Sequence, residues 1–400
     1  MDLSHALPAG AVELGYLGLA LVLLLVPRLL QRFSIPAPLS AFALGLAGAP
    51  LIPGLSADPA LALLAVLGIS SLFLFAGMEV ELDAFRRARW PLAGHLLLRA
   101  AALAACSWAA STFLGWAWQP ACLLMLALLT PSTGFILDTL PHQGLGPDEC
   151  FWVAAKAVAG EILALGVLFF VVQSGSSSAL WLSSLALLAM VAGLPLLFVL
   201  LGRYVLPRAP GAEFSLLVLV GLVAAYVTKQ LGVYYLVGAF LTGLVAKLLR
   251  VRMPLLASED NLRAVRLFAS FFVPFYFFHS GSRVPPEAFQ WAALGLGLLL
   301  SALVLPARIG VQWLHRRMVF AEDRAASWRV AVTLAPTFIF TLVLAGILRE
   351  QYGLSDAWYG ALLVYAFVST ALPALVRATH SNLDPGRPAP AEQPTASVAP

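Results

Sequence analysis

The sequence predicts an all-α polytopic membrane protein with about 13 transmembrane helices. Of its 400 residues, 61% are hydrophobic and only 11% are charged, and the mean hydropathy is +0.90. A soluble domain is about 25% charged, and its core needs far less apolar sequence. The net charge of +4 is no sign of nucleic-acid binding, because the basic residues are distributed as in the loops of a membrane protein.

Apolar runs between polar breaks define the predicted spans, since a bilayer is crossed by about 20 apolar residues. They lie near 11–32, 36–54, 60–82, 91–114, 118–140, 149–173, 179–205, 212–231, 232–249, 261–284, 288–314, 328–349 and 355–378. The loops leave no room for a soluble catalytic domain. Neither a nucleophile elbow, paired carboxylates nor a histidine cluster is present, so we predict no enzyme activity and no cofactor. Cys106, Cys122 and Cys150 lack metal or redox spacing and are predicted to be buried thiols.

The basic residues indicate the orientation of these spans. With the N-terminus outside, 18 of the 24 Lys and Arg residues fall in inner loops or flanks, three fall outside, and Arg99, Lys156 and Arg308 fall within spans. This bias follows the positive-inside rule. The C-terminus is therefore predicted to be cytoplasmic, with a disordered tail at 381–400 that is rich in Pro and Ala. The start, MDLSHALPAGAVE, has no basic region and predicts no cleaved signal peptide.

Three short motifs recur in order at offsets near 200 residues. AFALGLAG at 41–48 resembles AFLTGLVA at 239–246, LFLFAGMEV resembles YFFHSGSRV, and PSTGFIL at 131–137 resembles PTFIFTL at 336–342. Within the transmembrane domain at 1–380, these matches predict a first repeat at about 11–173, a linker helix at 179–205 and a second repeat at about 212–378. An odd number of spans separates the copies, so the repeats are inverted in the membrane, as in many secondary transporters.

The third motif places a proline inside span 5 and another inside span 12. Proline removes a helix donor and clashes with the preceding turn. Pro131 with Gly134, and Pro336 with Thr337, therefore predict broken helices at related positions. Helices broken in this way form midplane sites in transporters, where carbonyls and half-helix ends coordinate ions. A plain proline kink is the structural alternative.

Glu161 lies in the apolar run AVAGEILALGVLFF, twelve residues into span 6 and about 18 Å deep. A charge at that depth costs several kcal/mol and is retained where it is compensated or used. Burial disfavours an ionised carboxyl group and a neighbouring cation favours it, so such a group can hold either H⁺ or a metal cation. A structural glutamate with a fixed partner is the alternative. We predict an ion- and proton-binding site formed by Glu161, Thr130, Ser132 and Thr133.

Other ionisable residues leave alternative roles open. Arg308 is a candidate counter-charge for Glu161 or a side chain that reaches the cytoplasmic interface. Lys156 is a second candidate counter-charge, although it is not on the same helical face as Glu161. Its alternative roles are to face the inner funnel or to reach the membrane interface. Asp138 fits an inner vestibule or simple surface exposure. Arg99, with His95, is predicted to be interfacial or structurally paired.

Five segments carry a family resemblance: PAPLSAFALGLAGAPLIPGL, GISSLFLFAGMEVELDAFRR, LLTPSTGFILDTL, LGVYYLVGAFLTGLVA and WRVAVTLAPTFIFTLVLA. Over nearly the whole chain, they resemble the motifs of the bacterial monovalent cation:proton antiporters, in the branch with the Kef-type and NapA-type proteins. The resemblance implies 13 spans in a bacterial inner membrane, Na⁺ or K⁺ and H⁺ as transported ions, and a homodimer whose core domain moves against a dimerisation domain. It also implies that Glu161 is the ion-binding acid and that Arg308 matches a basic residue of the family.

The chain departs from this family where a pair of residues binds the ion. The pair is normally Asp-Asp, Asn-Asp or Gln-Asp and here reads Gly160–Glu161. A single titrating carboxyl group favours electroneutral, one-for-one exchange. The chain also lacks the cytoplasmic nucleotide-binding domain of Kef-type proteins. A sodium-coupled organic-anion symporter on a related fold and a degenerate, non-transporting relative are the alternatives.

Overall fold

The computed structural model describes residues 9–32, 35–52, 54–80, 86, 88–175, 177–231, 235–251, 253, 258–320 and 322–383. These residues are helical with short connections. The α-helices are α1 Ala9–Gln31, α2 Ala37–Gly48, α3 Pro59–Met78, α4 Arg89–Leu114, α5 Trp118–Leu129, α6 Thr133–Thr139, α7 Pro147–Gln173, α8 Ser177–Leu200, α9 Glu213–Gln230, α10 Tyr235–Leu248, α11 Glu259–Ser282, α12 Trp291–Phe320, α13 Arg324–Thr333, α14 Phe338–Tyr352 and α15 Asp356–Leu383.

Nine helices of the described chain are long and apolar enough to cross a membrane. The bent pair α13 and α14, which turns by 41°, makes a tenth span if counted as one. Two shorter apolar helices lie at Ala37–Gly48 and Leu236–Leu248. The all-helical, multi-pass architecture is thus confirmed, whereas the number of 13 spans stays a prediction. Residues 384–400, most of the predicted tail, lie outside the described residues, and α15 continues to Leu383.

Large apolar side chains cover the outer surface of the bundle. Phe113 is 84% exposed, Trp181 77% and Trp291 88%, on three different helices. A monomeric soluble protein rarely exposes a contiguous apolar surface of this kind. These exposed side chains are suited to contact with lipid hydrocarbon.

Only Cys122 of the three thiols is buried; Cys106 and Cys150 are partly exposed, so the prediction of three buried thiols was wrong for two of them.

The helices pack in two groups. In the first, α3 packs against α10 and α11, α11 packs against α2, and α9 packs against α10. In the second, α4 packs against α5 and α7, α14 against α5 and α15, and α12 against α13 and α15. We call them the scaffold group and the crossing group, because the second contains both broken helix pairs. They meet where α3 approaches α6.

Glycines bring backbones together inside the scaffold group, and four of them belong to the repeated motifs. A Cβ atom at Gly45 would lie 1.9 Å from the carbonyl oxygen of Phe278, and one at Gly243 would lie 2.1 Å from that of Leu74. Gly281 would clash in the same way with Phe42, at 2.2 Å, and Gly77 with Phe240, at 2.2 Å. Small residues permit such close approach of membrane helices. These contacts are reciprocal between the motifs that the sequence analysis matched.

Local signals in the sequence explain several helix starts. Asp58 caps α3, since its Oδ1 accepts a hydrogen bond from the Leu61 N–H at 2.9 Å and Pro59 follows at the first helical position. The Tyr16 hydroxyl donates to the other carboxylate oxygen, which attaches α1 to this cap. Ser258 caps α11 through the Asn261 N–H at 3.2 Å. Polar residues thus mark where the apolar helices begin.

Candidate functional site

The two broken helices are bonded to each other at their breaks. The Ser132 N–H, between α5 and α6, donates to the Pro336 carbonyl oxygen at 2.8 Å. The Ser132 Oγ accepts hydrogen bonds from the N–H groups of Ile339 at 2.9 Å and Phe340 at 3.3 Å, at the start of α14. Helix ends leave N–H groups without intrahelical partners, and a buried end must satisfy them elsewhere. The hydroxyl of one serine at the first break therefore satisfies two backbone N–H groups at the second break.

Side chains from three other helices bind the carbonyl end of α5. Thr341 Oγ1 donates to the Ala127 oxygen at 2.6 Å, and the Tyr365 hydroxyl donates to the Leu128 oxygen at 2.6 Å. Arg99 Nη2 donates to the Leu129 oxygen at 2.7 Å. Carbonyls at a helix C-terminus carry partial negative charge, which a cation stabilises. The crossing thus holds α5 in place with two hydroxyls and one guanidinium.

Arg308 does the same for the end of α13. Its Nη1 donates to the Ala335 oxygen at 3.1 Å and to the Tyr365 hydroxyl at 3.0 Å, and its Nη2 donates to the Leu334 oxygen at 3.3 Å. Arg99 in α4 and Arg308 in α12 therefore serve corresponding ends of the two broken pairs. The sequence analysis did not give Arg99 this role, although its place in span 4, which the repeat matches with span 11, was an available signal.

Glu161 is buried beside this crossing. Its side chain is 3% exposed, and its Oε2 has no hydrogen-bond partner. The Thr133 hydroxyl lies near the Glu161 carboxyl group, and Thr133 Oγ1 has no hydrogen-bond partner either. Unpaired buried polar groups are costly. A proton or a cation bound between these two oxygens would remove that cost.

The other predicted ligands lie close by in different states. Thr130 and Ser132 are buried with Thr133 around the break. The Ser132 oxygen already accepts two N–H groups, so its lone pairs are engaged in the crossing. Thr337 Oγ1 is 3.0 Å from Ser369 Oγ and 2.8 Å from Thr341 Oγ1, whose proton is donated to Ala127. At the second break, the hydroxyl groups are therefore hydrogen-bonded to one another.

Neither candidate counter-charge forms an ion pair with Glu161 within the described part of the chain. Arg308 binds the carbonyls of α13, as above. Lys156 is fully buried, and its Nζ lies 3.3 Å from His315 Nδ1 and 5.9 Å from the centre of the Phe320 ring. Asp138 lies in α6, but its side chain is outside the described residues.

Gly160 explains the position of the Arg99 guanidinium. A Cβ atom at Gly160 would lie 2.9 Å from Arg99 Nη1 and 3.1 Å from its Cζ. Any side chain at this position would therefore displace the guanidinium. Arg99 of the neighbouring helix α4 therefore occupies the space that a side chain at position 160 would take.

Two cavities approach the crossing from opposite ends of the bundle, between the scaffold and crossing groups. One, of about 810 Å³, is lined by Ala62 and His279 on the scaffold side and by Leu342 and Gly346 of α14. The other, of about 180 Å³, is lined by scaffold residues of α1, α3 and α11 and by Gly134, Phe135 and Ile339. Gly134 and Ile339 immediately follow the two breaks. The narrower cavity thus ends at the crossing.

Glu149 joins the start of α7 to α13. Its Oε1 accepts hydrogen bonds from Arg329 Nε at 3.1 Å and Nη2 at 2.6 Å, and its Oε2 accepts from the Gly146 N–H at 2.8 Å.

Among the described residues, no group of three or more His, Cys, Asp or Glu could hold a metal ion. A cation at Glu161 would therefore be completed by hydroxyl and carbonyl oxygens.

Substituting Ser132 with alanine tests the bonded crossing. Loss of the hydroxyl leaves the Ile339 and Phe340 N–H groups buried without their partner, and each such group costs about 1–3 kcal/mol. We expect a lower midpoint of thermal unfolding in detergent. Ser132→Thr, which keeps the oxygen, should lose less stability. An alanine variant as stable as the parent would contradict the proposed bonding.

The sequence profile of the family described as "Sodium/hydrogen exchanger, transmembrane" matches residues 19–378. The chain belongs to this family. The match covers both broken pairs and Glu161, and it identifies the chain as a multi-pass membrane transporter of the antiporter class. The resemblance found in the sequence is thereby confirmed at the level of the family, while the Kef-type and NapA-type branch stays a prediction.

Two solved structures of the sodium proton antiporter MjNhaP1 from Methanocaldococcus jannaschii share this fold. The one determined at pH 8 has a TM-score of 0.66 and 15% identity, over 93% of this chain and 97% of that chain. The other, an electron-microscopy structure, has a TM-score of 0.67 and 16% identity, over 96% and 97%. No curated protein sequence matches the chain. At these identities the likeness of the exchanger chain to MjNhaP1 shows a shared fold alone.

Proposed function

We propose that this exchanger carries Na⁺ or K⁺ in one direction and H⁺ in the other by alternating access. Glu161 binds the cation or the proton, but not both. Thr130, Thr133 and carbonyl oxygens around Pro131 complete the coordination of the cation. Ser132 belongs to the same break, with its oxygen engaged in the crossing until the site rearranges. The family and the fold of a sodium proton antiporter support this proposal.

The observation that carries the proposal is the unpaired carboxyl group at the crossing. Glu161 has no ion-pair partner in the described chain, and its Oε2 and the Thr133 hydroxyl have no hydrogen bond. A group held for stability alone would be expected to have a fixed partner. Intramembrane acids without one mark ion and proton paths in transporters. The two cavities that approach the crossing supply a route from each end.

The exchange is proposed to be electroneutral. Glu161 is the only carboxylate predicted at the depth of the crossing, and Gly160 contributes no ligand. Replacement of one bound cation by one proton at this single carboxyl group moves no net charge. Arg308 and Lys156 remain the proposed counter-charges of the ionised Glu161 in another conformation, reached by rearrangement of their present contacts.

The two helix groups match the proposed mechanical roles. The crossing group would move as the core domain, and the scaffold group would hold the dimer interface of a homodimer. The glycine contacts of the scaffold group, reciprocal between matched motifs, support inverted repeats. We propose an inner, or plasma, membrane location in a bacterium, with the N-terminus outside and the C-terminus in the cytoplasm, as the distribution of basic residues predicts.

Proteoliposomes with an imposed pH gradient test this function. We expect Na⁺ or K⁺, added separately, to collapse the gradient reported by a pH-sensitive dye, with Li⁺ as the third cation. Clamping the membrane potential at different values with valinomycin and K⁺ should leave the Na⁺-driven rate unchanged. No response to any of the three cations would overturn the antiport, and a rate that follows the potential would overturn electroneutrality alone.

A further inference from the structure

A third cavity lies within the crossing group, apart from the two cavities between the scaffold and crossing groups. It has a volume of about 260 Å³ and lies between α4, α5, α7 and α12. Its polar lining includes Arg99, Arg308, Thr130 and Gln312, and most of the remaining lining is aliphatic. Gly160 lines it, but Glu161 does not. The cavity therefore faces the two arginines and not the proposed cation-binding carboxyl group.

The arginines in this cavity have no carboxylate partner in the described chain. Neither Arg99 nor Arg308 forms an ion pair, and each is held by carbonyl oxygens of a broken helix. Both arginines line the same cavity. Each guanidinium has five N–H donors in a planar fork suited to carboxylates and phosphates. Arg99, which lines the cavity, donates one hydrogen bond to Leu129, and its other N–H groups have no hydrogen-bond partner among the described residues.

The cavity opens toward the lipid-facing surface. Leu98, Leu303 and Val311 line it and are 37%, 62% and 41% exposed. Arg99 is ten residues from the start of α4, about 15 Å along the helix, which is near the middle of a hydrocarbon core about 30 Å thick. A bilayer headgroup stays at the interface, so it does not reach this depth. The occupant needs an apolar body and a small anionic end.

We propose that this cavity binds a lipophilic monocarboxylate, with its carboxylate between Arg99 and Arg308 and its alkyl chain along Leu98 and Leu303. A carboxylate would neutralise the paired positive charges and make charge-assisted hydrogen bonds to both guanidinium groups. Thr130 and the Gln312 amide, whose Oε1 has no partner among the described residues, are further polar groups of the lining. A side chain at Gly160 would shift the Arg99 guanidinium.

Binding of radiolabelled decanoate to the purified full-length protein tests this site. We expect saturable binding that Arg99→Gln weakens at least tenfold. Arg283→Gln, in an exposed ion pair with Glu350, is the matched control and should bind as the parent does. Decanol, which lacks the charge, and acetate, which lacks the chain, should compete poorly. Because the measurement needs no transport, its result is independent of the cation exchange proposed above.

A second variant separates loss of the ligand from loss of the fold. Ala102→Leu fills part of the cavity lining while keeping both arginines. We expect decanoate binding to fall at least tenfold with the thermal unfolding midpoint unchanged. Parent-like decanoate binding by Arg99→Gln or Ala102→Leu would overturn the site. So would absence of saturable binding, or competition by decanol or acetate as strong as that by decanoate.

Discussion

Glu161→Gln is expected to reduce cation-dependent proton exchange in proteoliposomes to the level of empty vesicles. Glutamine has the shape of the glutamate but neither releases a proton nor carries the charge that a bound cation requires. The side chain is buried beside the crossing of the broken helices, where no second carboxylate is predicted to replace it. Thermal unfolding should change little, because the amide removes a buried group that can ionise.

Glu259→Gln provides the matched control. Glu259 lies at the exposed start of α11, in an ion pair with Arg250 in which both side chains are about half exposed or more. Exposed ion pairs contribute about 0–1 kcal/mol, so the variant should fold and exchange ions as the parent does. Exchange by Glu161→Gln at the parent rate would eliminate Glu161 as the carrier of the ion.

Gly45→Ala is expected to destabilise the scaffold group strongly. The new methyl carbon would lie 1.9 Å from the Phe278 carbonyl oxygen, a backbone atom that moves only if the whole helix α11 moves. Overpacking of this kind costs about 1–3 kcal/mol and occasionally more. The reciprocal variant Gly243→Ala, at 2.1 Å from the Leu74 oxygen, should show a similar loss. Thermal unfolding in detergent measures both effects. The buried Cys122 becomes accessible to a thiol label as the protein unfolds, which reports the transition.

Gly346→Ala is the control for these substitutions. Gly346 is within helix α14, and a Cβ atom there meets no other atom within 4 Å. Alanine favours a helix over glycine by about 1 kcal/mol, so this variant should be as stable as the parent or more so. If Gly45→Ala and Gly346→Ala unfold at the same temperature, the close helix contact does not limit stability.

The membrane class of the protein followed from composition and from the length of its apolar runs. These signals are local, because a bilayer requires about 20 apolar residues in each crossing helix wherever the helix packs. The breaks at Pro131 and Pro336 were predictable for the same reason, since proline acts on its own helix. The count of spans was less accessible: α2 and α10 are short, and α11 begins with charged residues, so length and hydropathy alone do not assign them.

The sequence by itself determined the all-helical fold and the two broken helices, whereas an isolated acid at mid-depth stays a prediction. Tertiary structure decided which groups surround them. Ser132 bonds to a break some 200 residues away, and Arg99 fills the space beside Gly160, although no pattern within a single helix indicates either contact. Lys156 is directed to His315 instead of Glu161. Side-chain partners depend on helix packing across the chain, whereas apolar length and proline act locally, so the sequence predicted the helices better than their contacts.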